Sequence, residues 1–490
     1  MALSSIVLIL LTTVGALAAV LSWVLPTWGT QLVTVASGLV SLGLSFALIV
    51  PTSHGPVQVS FLRADAVSTV FVIATAFLYA MASIYSIGYL RHHAGHGRYL
   101  RRFYLGLNAF GWSMLCAPLV DGLALLWVAI EITTVISALL VASDRTRSSA
   151  EAAWKYVLIA SAGLGIGLFA TIILYYAGSE IYGTSYDLTL SQMIAAGHRL
   201  PATPARLAFV LAVLGYGTKV GLVPVHTWLP DAHSEAPTPI SAMLSGSLLV
   251  VSFYAVLRYV QITTPTLGAT FDQTVLIVFG VLSLLVASFS LLQQRDVKRL
   301  LAYSSVEHMG ILCLGVGFGA PIALAGVLLH VLAHAAAKGN AFFAAGVLLQ
   351  RYGTKDIRRI RGALDALPWT GPLLLCAVLA LSALPPFGIF RSEFQIVAGG
   401  LGDGKTTFAA ILVVLVTVAF LGMAVSFTRI LFVPARHTPE ATEVAHGEPS
   451  AWMVAPMVIG LIALVVLGVH PPDVLTQLLT QGVAELGGVS

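Results

Sequence analysis

The stretch PIALAGVLLHVLAHAAAKGNAFFAAGVLL, residues 321–349, decides the fold. Its one formal charge is Lys338. A helix needs about 20 mostly apolar residues to cross the hydrocarbon of a bilayer, and this run exceeds that length. Yet His330, His334 and Lys338 recur every four residues, which sets them on one helix face about 6 Å apart along the axis. The segment reads as a membrane span with a titratable stripe.

The rest of the chain agrees. Of 490 residues, 58% are hydrophobic and 9% charged, and the mean hydropathy is +0.93. A soluble chain carries about 25% charged residues, so a soluble enzyme, a nucleic-acid binder and a disordered scaffold are excluded. Cys116, Cys313 and Cys376 lie alone in apolar runs with no CxxC pair. This chain is therefore expected to build neither an iron–sulfur cluster nor a disulfide framework. There is no P-loop, and GLGIG (163–167), inside an apolar run, reads as close helix packing rather than a dinucleotide loop. No cofactor is expected in this chain.

Fourteen apolar runs can be counted, at about 4–24, 30–50, 64–90, 103–120, 121–142, 151–177, 204–224, 236–262, 270–293, 296–319, 321–349, 370–400, 406–434 and 451–470. The expected fold is an all-α polytopic membrane protein. The first run has no Lys or Arg before it and is too long for the apolar core of a cleavable signal. An even count then puts both termini on one face. Seventeen of the 25 Lys and Arg fall at odd-numbered connections, as in RHHAGHGRYLRR (91–102), at Arg145, Arg147 and Lys155, at Arg295, Lys298 and Arg299, along 351–361, and at Arg429 and Arg436. Only Arg63, Arg199, Arg206, Arg258 and Lys405 mark the other face. Positive charge stays inside, so the odd connections are expected in the cytoplasm, with both termini on the non-cytoplasmic face of a cell (inner) membrane.

Lys219, Lys338 and Arg391 remain, and all three lie inside runs. A charge at the bilayer centre costs about 2.5–3.5 kcal/mol on the mildest scale, so such residues face protein or water and mark function. Glu131 lies mid-run in LLWVAIEITTVISALL (125–140), either as a structural partner for a neighbouring helix or as a carboxylate on an ion path. Lys219 precedes Pro224 in VLGYGTKVGLVPVHTW (213–228), and Pro385 and Pro386 precede Glu393 in ALSALPPFGIFRSEF (380–394). Proline interrupts a helix, and interrupted helices at matching places in two halves point to internal repeats and an ion site. Runs 7 and 12 are five apart, an odd number, so the two copies enter the membrane from opposite sides. Glu307 and His308 in AYSSVEHMG (302–310) suit a relay or helix packing equally, while Asp296 and Lys298 suit an interfacial anchor. The glycines of GVGFG (315–319) are expected to relax the helix into a turn. For the stripe on 321–349, imidazoles that titrate near neutrality and a desolvated lysine suit proton transfer. The rival is a zinc site, which lacks the HExxH glutamate and a third ligand on the same helix.

Two motifs, HTWLPDAHSEAPTPISAMLSG (226–246) and DVKRLLAYSSVEHMG (296–310), carry a resemblance. The sequence resembles the antiporter-like membrane subunits of respiratory complex I, group 4 membrane-bound hydrogenases and cation/proton antiporter complexes. DAHSEAPTP and SSVEHMG look most like component F of hydrogenase-4 and formate hydrogenlyase systems. The resemblance implies about fourteen transmembrane helices, with N-terminal spans 1–3 over 1–102, one inverted five-helix repeat over 103–262, a second over 263–434, span 14 and the C-terminus over 435–490, and broken helices 7 and 12. It also implies a proton path through Glu131, Lys219, His330, His334, Lys338 and Glu393. Family members often carry His or Lys in span 8, where this chain has Ser245 and Val250, so His226, His233, Ser245, Glu307 and His308 are auxiliary candidates. The implied function is proton translocation within a membrane-bound redox complex, hydrogenase- or NADH dehydrogenase-like, driven by soluble redox partners on the cytoplasmic side. A multi-subunit cation/proton antiporter, a proton-driven inorganic-carbon uptake partner and a scaffold that pumps nothing are the alternatives.

Overall fold

The computed structural model describes residues 3–93, 97–183, 186–434, 442 and 444–487. Arg436 and residues 94–96 of the basic loop lie outside them. The first helices are α1 (Leu3–Val24), α2 (Thr27–Ala47), α3 (Ile49–Ser53), α4 (Ala66–Tyr89), α5 (Gly97–Cys116), α6 (Leu123–Val141) and α7 (Arg147–Tyr182). After α8 (Leu190–Ala196) come α9 (Ala202–Val220), α10 (Leu229–Glu235), α11 (Thr238–Met243), α12 (Leu249–Leu267), α13 (Ala269–Leu291), α14 (Val297–Phe318) and α15 (Pro321–Tyr352). The chain ends with α16 (Ala363–Ala366), α17 (Thr370–Leu381), α18 (Gly388–Gly402), α19 (Thr406–Leu431), α20 (Ala451–Val469) and α21 (Asp473–Glu485). A short hairpin, β1 (Val57–Val59) and β2 (Leu62–Ala64), leads into α4.

Among the described residues, eleven helical stretches are long and apolar enough to cross a membrane. The protein is a multi-pass, nearly all-helical membrane protein. The other three apolar runs of the sequence coincide with α5, α9 and the pair α17–α18. Polar residues explain the difference for two of them: α5 opens on Arg98, Arg101 and Arg102, and α9 carries Arg206 and Lys219. The third is interrupted between Leu381 and Gly388, where Ala383 has φ +51° and Pro385 and Pro386 follow. α9 likewise stops at Gly221 (φ +85°), and α10 resumes only at Leu229, beyond Pro224.

Within the bundle α4, α14, α15 and the stretch Thr238–Leu267 are enclosed, while α1, α7, α19 and α20 form the rim. Small residues set the closest approaches. A Cβ on Gly163 would collide with Thr218, and one on Gly215 with the backbone of Gly167, so GLGIG is a packing surface between α7 and α9. GVGFG differs from its expected turn. Gly315 packs on Val327 and Ile396, Gly317 packs on Ile277, and α14 continues to Phe318. Only Gly319, with φ +75°, ends it. Neighbouring helices fill the space the two inner glycines leave, so the backbone has no reason to open.

Ionic contacts close both ends. At one, Asp65 takes Arg258 and Arg63, tying α12 to the start of α4. Glu485 of α21 accepts from the Ala66 and Val67 amides beside it. At the other, Asp231 meets Arg299 (2.6 Å) and Lys155 (3.4 Å), and Lys355 meets Glu235 (2.6 Å). Asp296 caps α14 through the Lys298 and Arg299 amides. Lys298 is no surface anchor: its side chain is buried and donates to the Ala236 carbonyl.

The α7–α9 contact gives a direct test of this packing. Gly215→Val should cost about 1–3 kcal/mol through overpacking. It should lower the thermal midpoint in detergent. Gly165→Val, where a side chain meets open space, should stay within about 0.5 kcal/mol of the parent.

Candidate functional site

Lys219 lies in the last turn of α9 and is fully buried. Its ammonium donates to the hydroxyls of Thr134 on α6 and Tyr156 on α7, both at 2.5 Å, and lies 4.8 Å from the Tyr156 ring centre. Tyr156 also shares a hydrogen bond with Ser137 (2.7 Å). Glu131, one turn before Thr134, faces another way. Ser161 of α7 donates to its Oε1 at 2.8 Å, while Oε2 has no protein partner. Its side chain lines an apolar indentation of about 270 Å³ with Trp127, Val128, Ile132, Val135 and Ile136. Glu131 and Lys219 are therefore not in direct contact. Hydroxyls occupy the lysine, and α7 takes the carboxylate.

The second group gathers where α14, α15 and α18 meet. His330, His334, Lys338 and His308 are fully buried, and Glu307 and Glu393 nearly so. The α15 stripe is not a simple ladder. His330 and His334 stand 6.1 Å apart between ring centres, and both flank His308 of α14, at 5.1 and 5.3 Å. His330 Nε2 is 3.2 Å from His308 Nδ1, which is 3.7 Å from Glu393 Oε1. Ser392 sits 2.9 Å from His330 Nδ1 and donates its own proton to the Ile389 carbonyl. His334 finds no partner at either nitrogen, nor does His308 at Nε2. Lys338 donates to the Leu301 carbonyl (3.1 Å).

Between the two groups lie the span 8 residues and the α9–α10 connection. Ser245 sits on a π-helical turn, Leu244–Leu248, and bonds Ser305 at 2.6 Å. Ser305 donates to the Leu301 carbonyl that Lys338 also uses. His233 on α10 is fully buried; its Nδ1 is 2.8 Å from the Leu229 carbonyl and its Nε2 is unpartnered. Its ring lies 6.2 Å from Trp228, which stacks on Tyr156 at 4.4 Å, and 5.9 Å from Phe342 on α15. His226 is only half-buried and stands beside Tyr303, away from these contacts. Arg391 also falls outside the buried set: it is partly exposed and reaches the Val469 carbonyl at the end of α20.

Comparison with known proteins places this arrangement. The transmembrane family described as NADH:quinone oxidoreductase/Mrp antiporter matches residues 121–420, which hold both groups. The chain belongs to that family. It is 35% identical over 363 residues to a hydrogenase-4 component F homolog of Methylacidiphilum infernorum, covering 73% of this chain and 76% of the relative. It is 30% identical to an NADH-quinone oxidoreductase subunit N of Desulforudis audaxviator, covering 83% and 81%. A chain in the structure of the membrane-bound sulfane sulfur reductase, an archaeal respiratory membrane complex, superposes with TM-score 0.86 at 20% identity, covering 98% of each.

In this antiporter-like subunit several contacts escaped the sequence reading. Tyr156 and Thr134 hold Lys219, yet hydroxyls in apolar runs carry no distinctive pattern. Ser392 was within reach, since it stands beside Glu393 and one helical register from the proline break. The α15 pair His330 and His334 is not what comes together as a possible metal set; among the described residues His308, His330 and Glu393, from three helices, bring one ligand atom each within 4.8 Å of one another.

Tyr156 offers the sharpest check on the first group. Tyr156→Phe removes a hydrogen bond to a charged group worth about 1.5–3 kcal/mol. The variant should show a matching fall in unfolding midpoint, whereas Tyr303→Phe, which holds no lysine, should not.

Proposed function

We propose that this subunit translocates protons within a membrane-bound redox complex. The observation that carries the reading is two fully buried lysines, Lys219 and Lys338, each met by neutral oxygens and each opening toward further titratable groups. In this reading Glu131 and Lys219 exchange charge through the shell of Ser161, Thr134 and Tyr156. His233 Nε2, without a partner in the fold, is the acceptor assigned between Lys219 and Lys338. Ser245 orients the Lys338 side through Ser305. From Lys338 the proton reaches His334, His330 and His308, and Glu393, beside His308, delivers it to an exit.

The same proposal covers topology. Fourteen crossings follow if α5, α9 and α17–α18 also cross, with 103–262 and 263–434 as inverted five-helix repeats and α9–α10 and α17–α18 as their broken members. In support, Lys155, Arg299 and Lys355, from three different odd-numbered connections, converge on Asp231 and Glu235 at one end of the bundle. That end is assigned to the cytoplasm and both termini to the other face of the inner membrane. Similarity to a hydrogenase-4 component supports soluble redox subunits as the driving partners. Redox cofactors would then belong to those subunits and not to this chain.

Two measurements on the assembled complex in proteoliposomes test the path. Lys219→Arg keeps the charge, but arginine does not release its proton in proteins, so coupled proton translocation should fall about tenfold or more with assembly intact. Translocation at the parent rate would leave Lys219 as a fixed charge. In the second group, His308→Gln should slow translocation by about tenfold, because His308 joins His330 to Glu393. His334→Gln, which breaks no protein hydrogen bond, should slow it less.

A further inference from the structure

The geometry points to a transition-metal site at His308, His330 and Glu393, on which a divalent ion such as Zn²⁺ competes with the proton these groups share. The first support is tautomer. Ser392 spends its single hydroxyl proton on the Ile389 carbonyl, so it must accept from His330 Nδ1–H. His330 Nε2 is then the lone-pair nitrogen, and it points at His308 Nδ1, 3.2 Å away. Metal-binding histidines use this same arrangement, with one nitrogen on the metal and the other donating to a fixed acceptor.

The second support is spacing. In a tetrahedral zinc site with bonds of about 2.0–2.1 Å, neighbouring ligand atoms stand about 3.3 Å apart. Here His330 Nε2 to His308 Nδ1 is 3.2 Å, and His308 Nδ1 to Glu393 Oε1 is 3.7 Å. The three ligand atoms all lie within 4.8 Å of one another. Two imidazoles and one carboxylate with an open fourth position suit Zn²⁺.

The third support is unmet polarity. His308 Nε2, both nitrogens of His334 and Glu393 Oε1 are buried without protein partners. Buried polar atoms normally find one. Glu393 Oε1 is itself one of the three ligand atoms, and His334, beside His308, would supply a fourth nitrogen after a side-chain rotation or leave that position to water. A single proton between His330 Nε2 and His308 Nδ1 satisfies only part of this cluster. A dication satisfies all three inward-facing atoms. Metal binding does not depend on the translocation reading; inhibition by the metal does.

The test uses the full-length subunit in lipid nanodiscs, with Co²⁺ as the optical probe and Zn²⁺ as competitor. One Co²⁺ per chain is expected, with the visible bands of a tetrahedral site, displaced by Zn²⁺. Glu393→Gln and His308→Gln should each weaken binding about tenfold or more, as should Ser392→Ala, which frees the His330 ring. His198→Ala, at a histidine on the protein surface, should leave binding unchanged. No Co²⁺ uptake by the parent protein would overturn the site, whatever the variants do. So would parent-like affinity in a Glu393→Gln or His308→Gln protein that keeps its elution profile and unfolding midpoint, or loss of binding in His198→Ala alone. Translocation without metal, measured separately, reads the relay itself, so failure of one reading leaves the other standing.

Discussion

A charged amine inside hydrocarbon has to be met by polar atoms of its own protein, and that requirement arranges the core of this subunit. Leaving it unmet costs about 2.5–3.5 kcal/mol even on the mildest scale. Lys219 is answered by two hydroxyls from two helices, and Lys338 by a backbone carbonyl of α14. None of these partners carries a charge. Neutral oxygens can accept from an ammonium, and a hydroxyl can also turn to donate to a neutral amine. The shell therefore remains satisfied in either protonation state, which a fixed carboxylate partner would not allow. Glu131, turned to Ser161 and one turn from Thr134, can act on Lys219 through space without locking it.

The two groups solve the problem with different chemistry. The first surrounds one lysine with Thr134, Tyr156 and Ser137. The second clusters three imidazoles with two carboxylates. The junction between them depends on two irregularities: the interrupted helix that carries His233 inward, and the π-helical turn that holds Ser245. π turns inside α-helices recur at functional places because one extra residue shifts the face a side chain presents. Ser245 thereby joins Ser305 of α14.

Much of this was legible from the residues. Long apolar runs gave the membrane spans because hydropathy is summed over many residues, and one misplaced polar group hardly moves the sum. Lys219, Lys338, His330 and His334 stood out because a titratable side chain in such a run is costly and rare. Tyr156 and Thr134 were hidden, since hydroxyls are common in apolar helices and meet their partners from far along the chain. The central place of His308 was hidden for the same reason: periodicity relates residues of one helix and says nothing of which helix lies opposite. Periodicity also made His330, His334 and Lys338 look like a ladder. The fold sets an α14 imidazole between the first two. GVGFG misled because glycine serves turns and close packing alike, and only the neighbours Val327, Ile396 and Ile277 distinguish them.

The length of α7 has a consequence for the membrane itself. Its 36 residues extend about 54 Å, well beyond a hydrocarbon core of about 30 Å. Two of its large exposed aromatics, Trp154 and Tyr176, stand about 33 Å apart along the axis, where rings favour the two interfaces. In a thinner bilayer both rings cannot keep their level unless α7 tilts. Tyr156 and Ser161, which hold Lys219 and Glu131, ride on the same rod. A tilt of α7 therefore carries the contacts to Lys219 and to Glu131 together.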